Sequence, residues 1–255
     1  EPETAEEILE TASADPALVE TLRAGFGWQY PAADLAAVPA KVSVTSIVHK
    51  QEQTTLERPA FLSKDGLTAA EMGTALHAFL EHADFAALAA GLAGGGDTLA
   101  EAIRTERQRQ VEAKLTSPEI AGKLDVSKIR RFVEGEAFAR IRAAKQVLRE
   151  LDFITALPAA EVLTAQGSAP ADSAAVAQAK VLVQGIADLV LVFPDHLELL
   201  DYKTDRRKSE DDFLAAYRAQ LDLYALAISK RFAPKPVTYK GIYSLELGKL
   251  IEVKG

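Results

Sequence analysis

Apolar residues recur along the chain at two different intervals, and the change from one to the other divides it. Met72, Leu76, Phe79 and Leu80 return every three or four positions, the period of a helix that buries one face. Thr68 and Glu71 stand ahead of them at capping-box spacing, so a helix is expected over residues 69–82. From about 97 to 147 the pattern is charged and helical, with breaks expected near Pro118 and Gly122. After residue 180 the period shortens. "KVLVQGIADLVLVF" and "HLELLDYKT" are β-rich runs parted by Pro194-Asp195, the pattern of an antiparallel hairpin. Ser209 then caps a long helix ending near Ile228, and "VTYKGIYSLELGKLIEVKG" supplies one or two closing strands with a turn around Gly248.

Nearer the start, Pro16 after Asp15 and Gly25 bracket a helix read as packing. "GFGWQYPAADLAAVPA" reads as a connector over a surface, and Val42 and Val44 alternate before a turn into helix at Thr45 or Ser46. A boundary is therefore expected near residue 40: a helical and connector segment over 1–40, then one unit over 41–255. Its helical part covers about 67–150 and its α/β core about 150–255. Residues 164–179, small and polar, read as a loop or insertion, and no internal repeat is present.

Composition narrows the chemistry. A chain of 255 residues, 48% hydrophobic, can bury a large core. It begins at Glu1 and its single methionine is Met72, so a piece of a longer protein is expected. It has neither the run of about eighteen apolar residues that a membrane span needs nor a signal-peptide pattern, so a soluble, intracellular protein is expected. The absence of cysteine excludes thiolate zinc sites, iron-sulfur clusters and cysteine nucleophiles, leaving oxygen and imidazole to hold any metal. A net charge of -8 argues against a broad basic grip on nucleic acid, although a metal site itself contributes carboxylates. No Gly-x-x-x-x-Gly-Lys-[Ser/Thr] occurs, since Gly248-Lys249 is followed by Leu250, so no ATP site is expected in this chain.

Chemistry concentrates in the hairpin. Asp201 and Lys203, one residue apart on the second strand, project from one face, and Asp188, thirteen residues before Asp201 on the first strand, can point to that same face. Apolar neighbours put these charges at the rim of a core. Two carboxylates can hold Mg²⁺, which keeps several of its waters, and a lysine supplies a compact positive charge beside them. A lone Asp-x-Lys is more often a surface ion pair. Here Gly-Ile-Ala-Asp upstream and a helix carrying glutamine and tyrosine downstream favour a site. His77, on the 69–82 helix, reads by itself as a structural histidine more readily than as a ligand, and Gly73, four residues before it on the same face, reads as room for DNA or a metal-bound water to approach.

In order, "KVSVTSI", "RPAFL", "GTALHAFLEH", "REL" with Phe153 behind it, "VLVQGIADLVLV", "LLDYKTD" and "YRAQLDLYALAI" resemble the motifs of the RecB-like branch of the PD-(D/E)xK nucleases. Within that branch they are similar to the C-terminal nuclease domain of AddA-type helicase-nucleases, over roughly residues 25–250. The resemblance implies a restriction-endonuclease-like α/β fold, a mixed β-sheet flanked by helices with helical N-terminal additions. It implies that His77, Asp188, Asp201 and the Tyr202 carbonyl ligate Mg²⁺ or Mn²⁺, that Lys203 is the catalytic lysine, and that Gln220 and Tyr224 position substrate or lysine. It further implies a bacterial, cytoplasmic, nucleoid-associated exonuclease domain that hydrolyses single-stranded DNA fed by helicase domains of the same parent chain. A role in recombinational repair of double-strand breaks goes with it, as does an AddB-like partner subunit.

Around this quartet, Thr204, Arg206 and Arg207 are candidates to hold phosphates, with a solvated loop the equal alternative. Lys128, Arg130, Arg131, Arg140, Arg142 and Lys145 are the best candidates for a DNA-facing helical surface, interspersed with acids. Tyr217 falls on a stripe with Phe213, Tyr224 and Ile228 that reads as core. The rival from another class is a non-catalytic DNA-handling and subunit-docking module with the same fold. Cluster-bearing nucleases of this fold are excluded by the missing cysteines.

Overall fold

Strand β3, Lys180–Val192, is the hub on which a mixed sheet of six strands is built. The computed structural model describes residues 16–27, 33–44, 69–170, 172–205 and 209–254. Along one edge β3 pairs antiparallel, over its whole length, with β2, Gln146–Pro158. Its other edge is shared. β1, Lys41–Ser43, runs parallel to residues 182–184, while β4, Leu197–Lys203, pairs antiparallel with residues 189–192. The sheet then continues through β5, Val237–Ser244, parallel to β4, to β6, Lys249–Glu252, antiparallel to β5. The predicted hairpin therefore forms, turning at Pro194-Asp195.

Two apolar cores form on the sheet. On one, Val183, Val190, Leu199 and Ile242 meet Phe213, Tyr217, Leu221, Tyr224 and Ile228 of a long helix, Glu210–Arg231. Ser209 and Asp212 cap that helix reciprocally, and three acids occupy its first turn, where they suit the helix dipole. On the other, Leu189, Leu191, Leu200 and Tyr243 meet a helical layer. Its elements are α2, Ala69–His82, then α3, Phe85–Ala93, α4, Gly96–Glu112, α5, Pro118–Lys123, α6, Val126–Glu134, and α7, Glu136–Ala143. Arg149 of β2 ties the layers together: it donates 2.7 Å hydrogen bonds to the carbonyls of Glu81 and Ala83 and stacks over Phe85.

Several expectations need correction. The first helix, α1, Pro16–Phe26, runs through Gly25, and none of its residues is buried. The breaks expected near Pro118 and Gly122 do occur, at 113–117 before α5 and at 124–125 after it, with Pro118 itself opening α5 and Gly122 inside its last turn. A proline at the first helical position loses no hydrogen bond. β2 begins at Gln146, inside the stretch read as helical, because its Arg149-Glu150 pair interrupts strand alternation. Residues 159–165 and 174–178 form short helices, α8 and α9, in and beside the expected loop, with Val176 of α9 buried. The long helix, α10 in chain order, continues three residues past Ile228. Cap candidates Thr45, Ser46 and Thr68 lie outside the described residues.

Candidate active site

The alternation of faces breaks at one point on both long strands. Val181, Val183 and Ala187 belong to the core under α10, but so do Val190 and Val192, while Leu189 and Leu191 belong to the other. β2 switches in step, with Leu151 and Phe153 on the α10 side and Val147 on the helical-layer side. The break falls at the facing pair Glu150 and Asp188, the one position missing from the run of paired residues, and Glu150 adopts a positive φ of 44°. A non-glycine residue in that region is uncommon and strained. Both Asp188 and Leu189 thereby turn from α10 toward the helical layer.

The same point is where β4 leaves β3. The β3–β4 ladder stops at Leu189 and Leu200, and beyond it the Tyr202 amide donates to Asp188 Oδ2 at 2.8 Å. A side chain thus replaces a strand carbonyl, and the sheet forks around it. The expected convergence occurs, though as a fork and not as one flat strand face. On β4, Lys203 Nζ stands 2.6 Å from Asp201 Oδ2 and 4.6 Å from the centre of the Tyr217 ring. From α2, His77 Nδ1 lies 3.7 Å from Asp188 Oδ2, its ring edge-on to Tyr202. From α10, Gln220 Nε2 donates to Tyr224 Oη at 3.2 Å. The Tyr224 ring fits against Gly185, where an added Cβ would come within 2.7 Å of it.

Burial and like charge set the electrostatics. Burial first, then the Asp201 charge, hold the Asp188 carboxyl well above the ordinary carboxylate range. Burial works against charge on Lys203, but Asp201 and Asp188 outweigh it and hold the ammonium above its usual value. Burial lowers His77, with Asp201 pulling the other way, so a neutral imidazole is favoured. Burial also raises the Tyr224 phenol, keeping it a hydrogen-bond donor. Among the described residues no group of three His, Asp or Glu is drawn together as a ready-made metal cage. The donor set nevertheless suits a hard divalent cation: two carboxylates of which one is strained by the other, a neutral imidazole, and no sulfur. Gln220 Oε1 is buried without a hydrogen-bond partner, and Asp201 Oδ2, beside Lys203, also makes no aligned hydrogen bond.

Residues 50–250 match the PD-(D/E)XK nuclease superfamily. The chain belongs to that superfamily. Its relatives include an ATP-dependent helicase/nuclease subunit of Moorella thermoacetica, 36% identical over 80% of this chain. Proteins of the same name from Pelotomaculum thermopropionicum and Desulforamulus reducens are 33% and 29% identical over 91% and 94% of it. The chain spans 14 to 19% of the length of these curated relatives. None of the described helices is long and apolar enough to cross a membrane.

In this PD-(D/E)XK nuclease, His77, Asp188, Asp201, Lys203, Gln220 and Tyr224 gather at the fork. Thr204 does not reach into open solvent: it packs on Gly73 of α2, where an added Cβ would come within 2.5 Å of its hydroxyl. The small residue at 73 therefore admits Thr204, not DNA or water. Arg206 and Arg207 lie outside the described residues. Three of the six residues of the basic stretch are paired with acids, Lys128 with Glu246, Arg130 with Glu134, and Arg140 with Glu136 and Glu198. Glu150 is the residue that sequence reasoning left without a role. Burial and then Glu81 and Asp201 push its carboxyl up, and it faces Asp188. Its signal was a charged pair, Arg149-Glu150, inside an otherwise apolar strand.

Substituting Gly185 tests the seating of Tyr224. An alanine Cβ would also come within 3.0 Å of the buried Phe153 ring, and overpacked cores lose about 1–3 kcal/mol. Gly185→Ala is expected to lower the urea-unfolding stability by that amount; an unchanged midpoint would mean that the Tyr224 ring is not held there.

Proposed function

We propose that this chain is the nuclease domain of a bacterial ATP-dependent helicase-nuclease, hydrolysing phosphodiester bonds of single-stranded DNA as an exonuclease with Mg²⁺ or Mn²⁺. The observation that carries the reading is the meeting of His77, Asp188, Asp201 and Lys203 at the β3–β4 fork, from three separate elements. Asp188, Asp201, His77 and the Tyr202 carbonyl would hold the cation, with Glu150 close behind Asp188. Bound there, a divalent cation supplies Lewis acidity to the scissile phosphate and makes a water more acidic. Lys203 keeps its ammonium charged at the same place, oriented between Asp201 and the Tyr217 ring. It offsets negative charge that builds on the phosphate oxygens. Tyr217 is in turn held by a hydrogen bond from its hydroxyl to Asp205. Gln220 and Tyr224 brace the site from the α10 side, Arg206 and Arg207 follow the lysine as phosphate contacts, and Thr204 seats that turn against Gly73.

The relatives' name, that of a helicase/nuclease subunit, supports the wider reading. In it, helicase domains of the parent chain feed the strand, an AddB-like subunit completes the assembly, and the whole acts on double-strand breaks in the bacterial cytoplasm at the nucleoid. The test is cleavage of an end-labelled single-stranded oligonucleotide by the purified chain in Mg²⁺ or Mn²⁺. Cleavage that EDTA abolishes is expected; products that persist in EDTA would sink the metal-dependent reading, and an intact oligonucleotide in both metals would favour the docking module.

A further inference from the structure

Beyond the fork, toward the start of β3, one face of the sheet carries no helix among the described residues. Val181, Val183 and Ala187 point under α10, as Phe153 and Leu157 do from β2. The positions between them face the other way, and there Ile154, Ile186 and Leu182 are 66%, 48% and 38% exposed. Register sets Ile154 opposite Gln184, between Leu182 and Ile186 on the neighbouring strand, so the four side chains form one strip. A single exposed aliphatic residue is ordinary, but a contiguous apolar strip with a polar rim marks a contact surface.

Two features say what kind of contact. The strip runs directly into the candidate site, since Ile186 is one i, i+2 step from Asp188, about 7 Å along the strand. At the opposite end Lys180 closes the same row, and Lys41 lies across from Leu182 on β1. Both lysines are exposed, and neither makes an ion pair among the described residues. Carboxylates come first, with exposed Asp152 opposite Ile186 among them, then apolar rungs around one amide, then two cations, in order along one face.

We infer that this face is a platform for the unpaired bases of the substrate strand, a reading that rests on the DNA-nuclease function proposed above. With the scissile phosphate at Asp188 and Asp201, the bases beside it lie on Ile186, Ile154 and Leu182, and the next phosphates reach Lys41 and Lys180. Aliphatic rungs accept any base by removing apolar area on its face from water, and the Gln184 amide, donor and acceptor at once, can pair with a base edge. Bases stacked inside a duplex cannot use such a surface, so the platform favours single strands.

The experiment measures fluorescence anisotropy of a labelled twelve-nucleotide oligo-dT in Ca²⁺, against the same oligonucleotide with three adjacent abasic sites moved in register along it. The chain is expected to bind the intact strand about tenfold more tightly than the weakest abasic register, the effect of burying some tens of Å² of apolar surface. In Ile154→Ser/Ile186→Ser, whose substitutions are exposed and whose melting is checked, the intact strand should weaken by a similar factor and the abasic penalty should disappear. Equal binding of intact and abasic strands by the unsubstituted chain, no binding of either, or a full abasic penalty retained in the folded variant would each overturn the platform. Cleavage in Mg²⁺ is scored separately. Base-dependent binding without cleavage would keep the platform and remove the nuclease reading, whereas cleavage without base dependence would do the reverse.

Discussion

Lys203→Met should slow phosphodiester cleavage by about three orders of magnitude, the loss typical of removing one preorganised charge from a transition state, while divalent-cation affinity is kept or increased. The two effects separate because Lys203 has two tasks. Nearest to Asp201 Oδ2, at 2.6 Å, its ammonium neutralises a carboxylate that is only 1% exposed. A divalent cation can take over that task, since it competes for the same oxygen. It cannot replace a positive charge placed separately against the phosphate. In EDTA the variant should lose stability, because removing one partner of a buried pair strands the other and costs about 3–5 kcal/mol. Added Mg²⁺ should restore it. Initial rates on a labelled oligonucleotide, calorimetric Mn²⁺ binding and melting with and without metal measure the three parts. Near-normal cleavage by the methionine variant would reduce Lys203 to a counter-ion.

Asp188→Asn should act in the opposite sense on stability. A carboxyl whose folded pKa is raised contributes stability below its unfolded pKa, near 4, and loses that contribution as pH rises through the folded value. At pH 7.5 a charged Asp188, buried beside Asp201, is therefore a cost to the metal-free fold. Asparagine keeps an oxygen for the Tyr202 amide and removes the charge. The variant is expected to melt above the unsubstituted chain in EDTA. Metal should reverse the order: at a hundred times its Kd a ligand adds about 2.7 kcal/mol, or roughly 5–10 °C for a domain of this size, and the variant should lack most of that gain. A variant that melts lower in EDTA would show that the Asp188 charge stabilises the fold by itself.

Much of this was legible in the sequence because it depends on local pattern. The hairpin, the Ser209 cap and the α2 helix rest on strand alternation, turn residues and helical period within short windows. The positions of Asp188, Asp201 and Lys203 followed from the hairpin. What escaped depends on partners distant in the chain. β2 was missed because Arg149 and Glu150 look like helix-surface charges until the carbonyls of α2 and the facing Asp188 give each a reason to be in a strand. The fork was missed because it requires both strands to switch faces together, at a residue with positive φ that no glycine announces. Gly73 was misread for a related reason: its neighbour, Thr204, is on a different element. The commitment of Arg130 and Arg140 to helical glutamates four residues away was visible as spacing, yet the pairing with Glu198 on β4 was not.

The site draws on α2 from one core, on α10 from the other and on the sheet between them. His77 comes early in the chain, the acidic pair and the lysine follow more than a hundred residues later, and Gln220 and Tyr224 come last. During synthesis, then, the chemistry stays incomplete until almost the whole chain has left the ribosome and both layers have closed on the sheet. Loosening of either layer afterwards dismantles the constellation before the sheet itself melts, so an immature or damaged copy of this nuclease is disarmed by its own architecture.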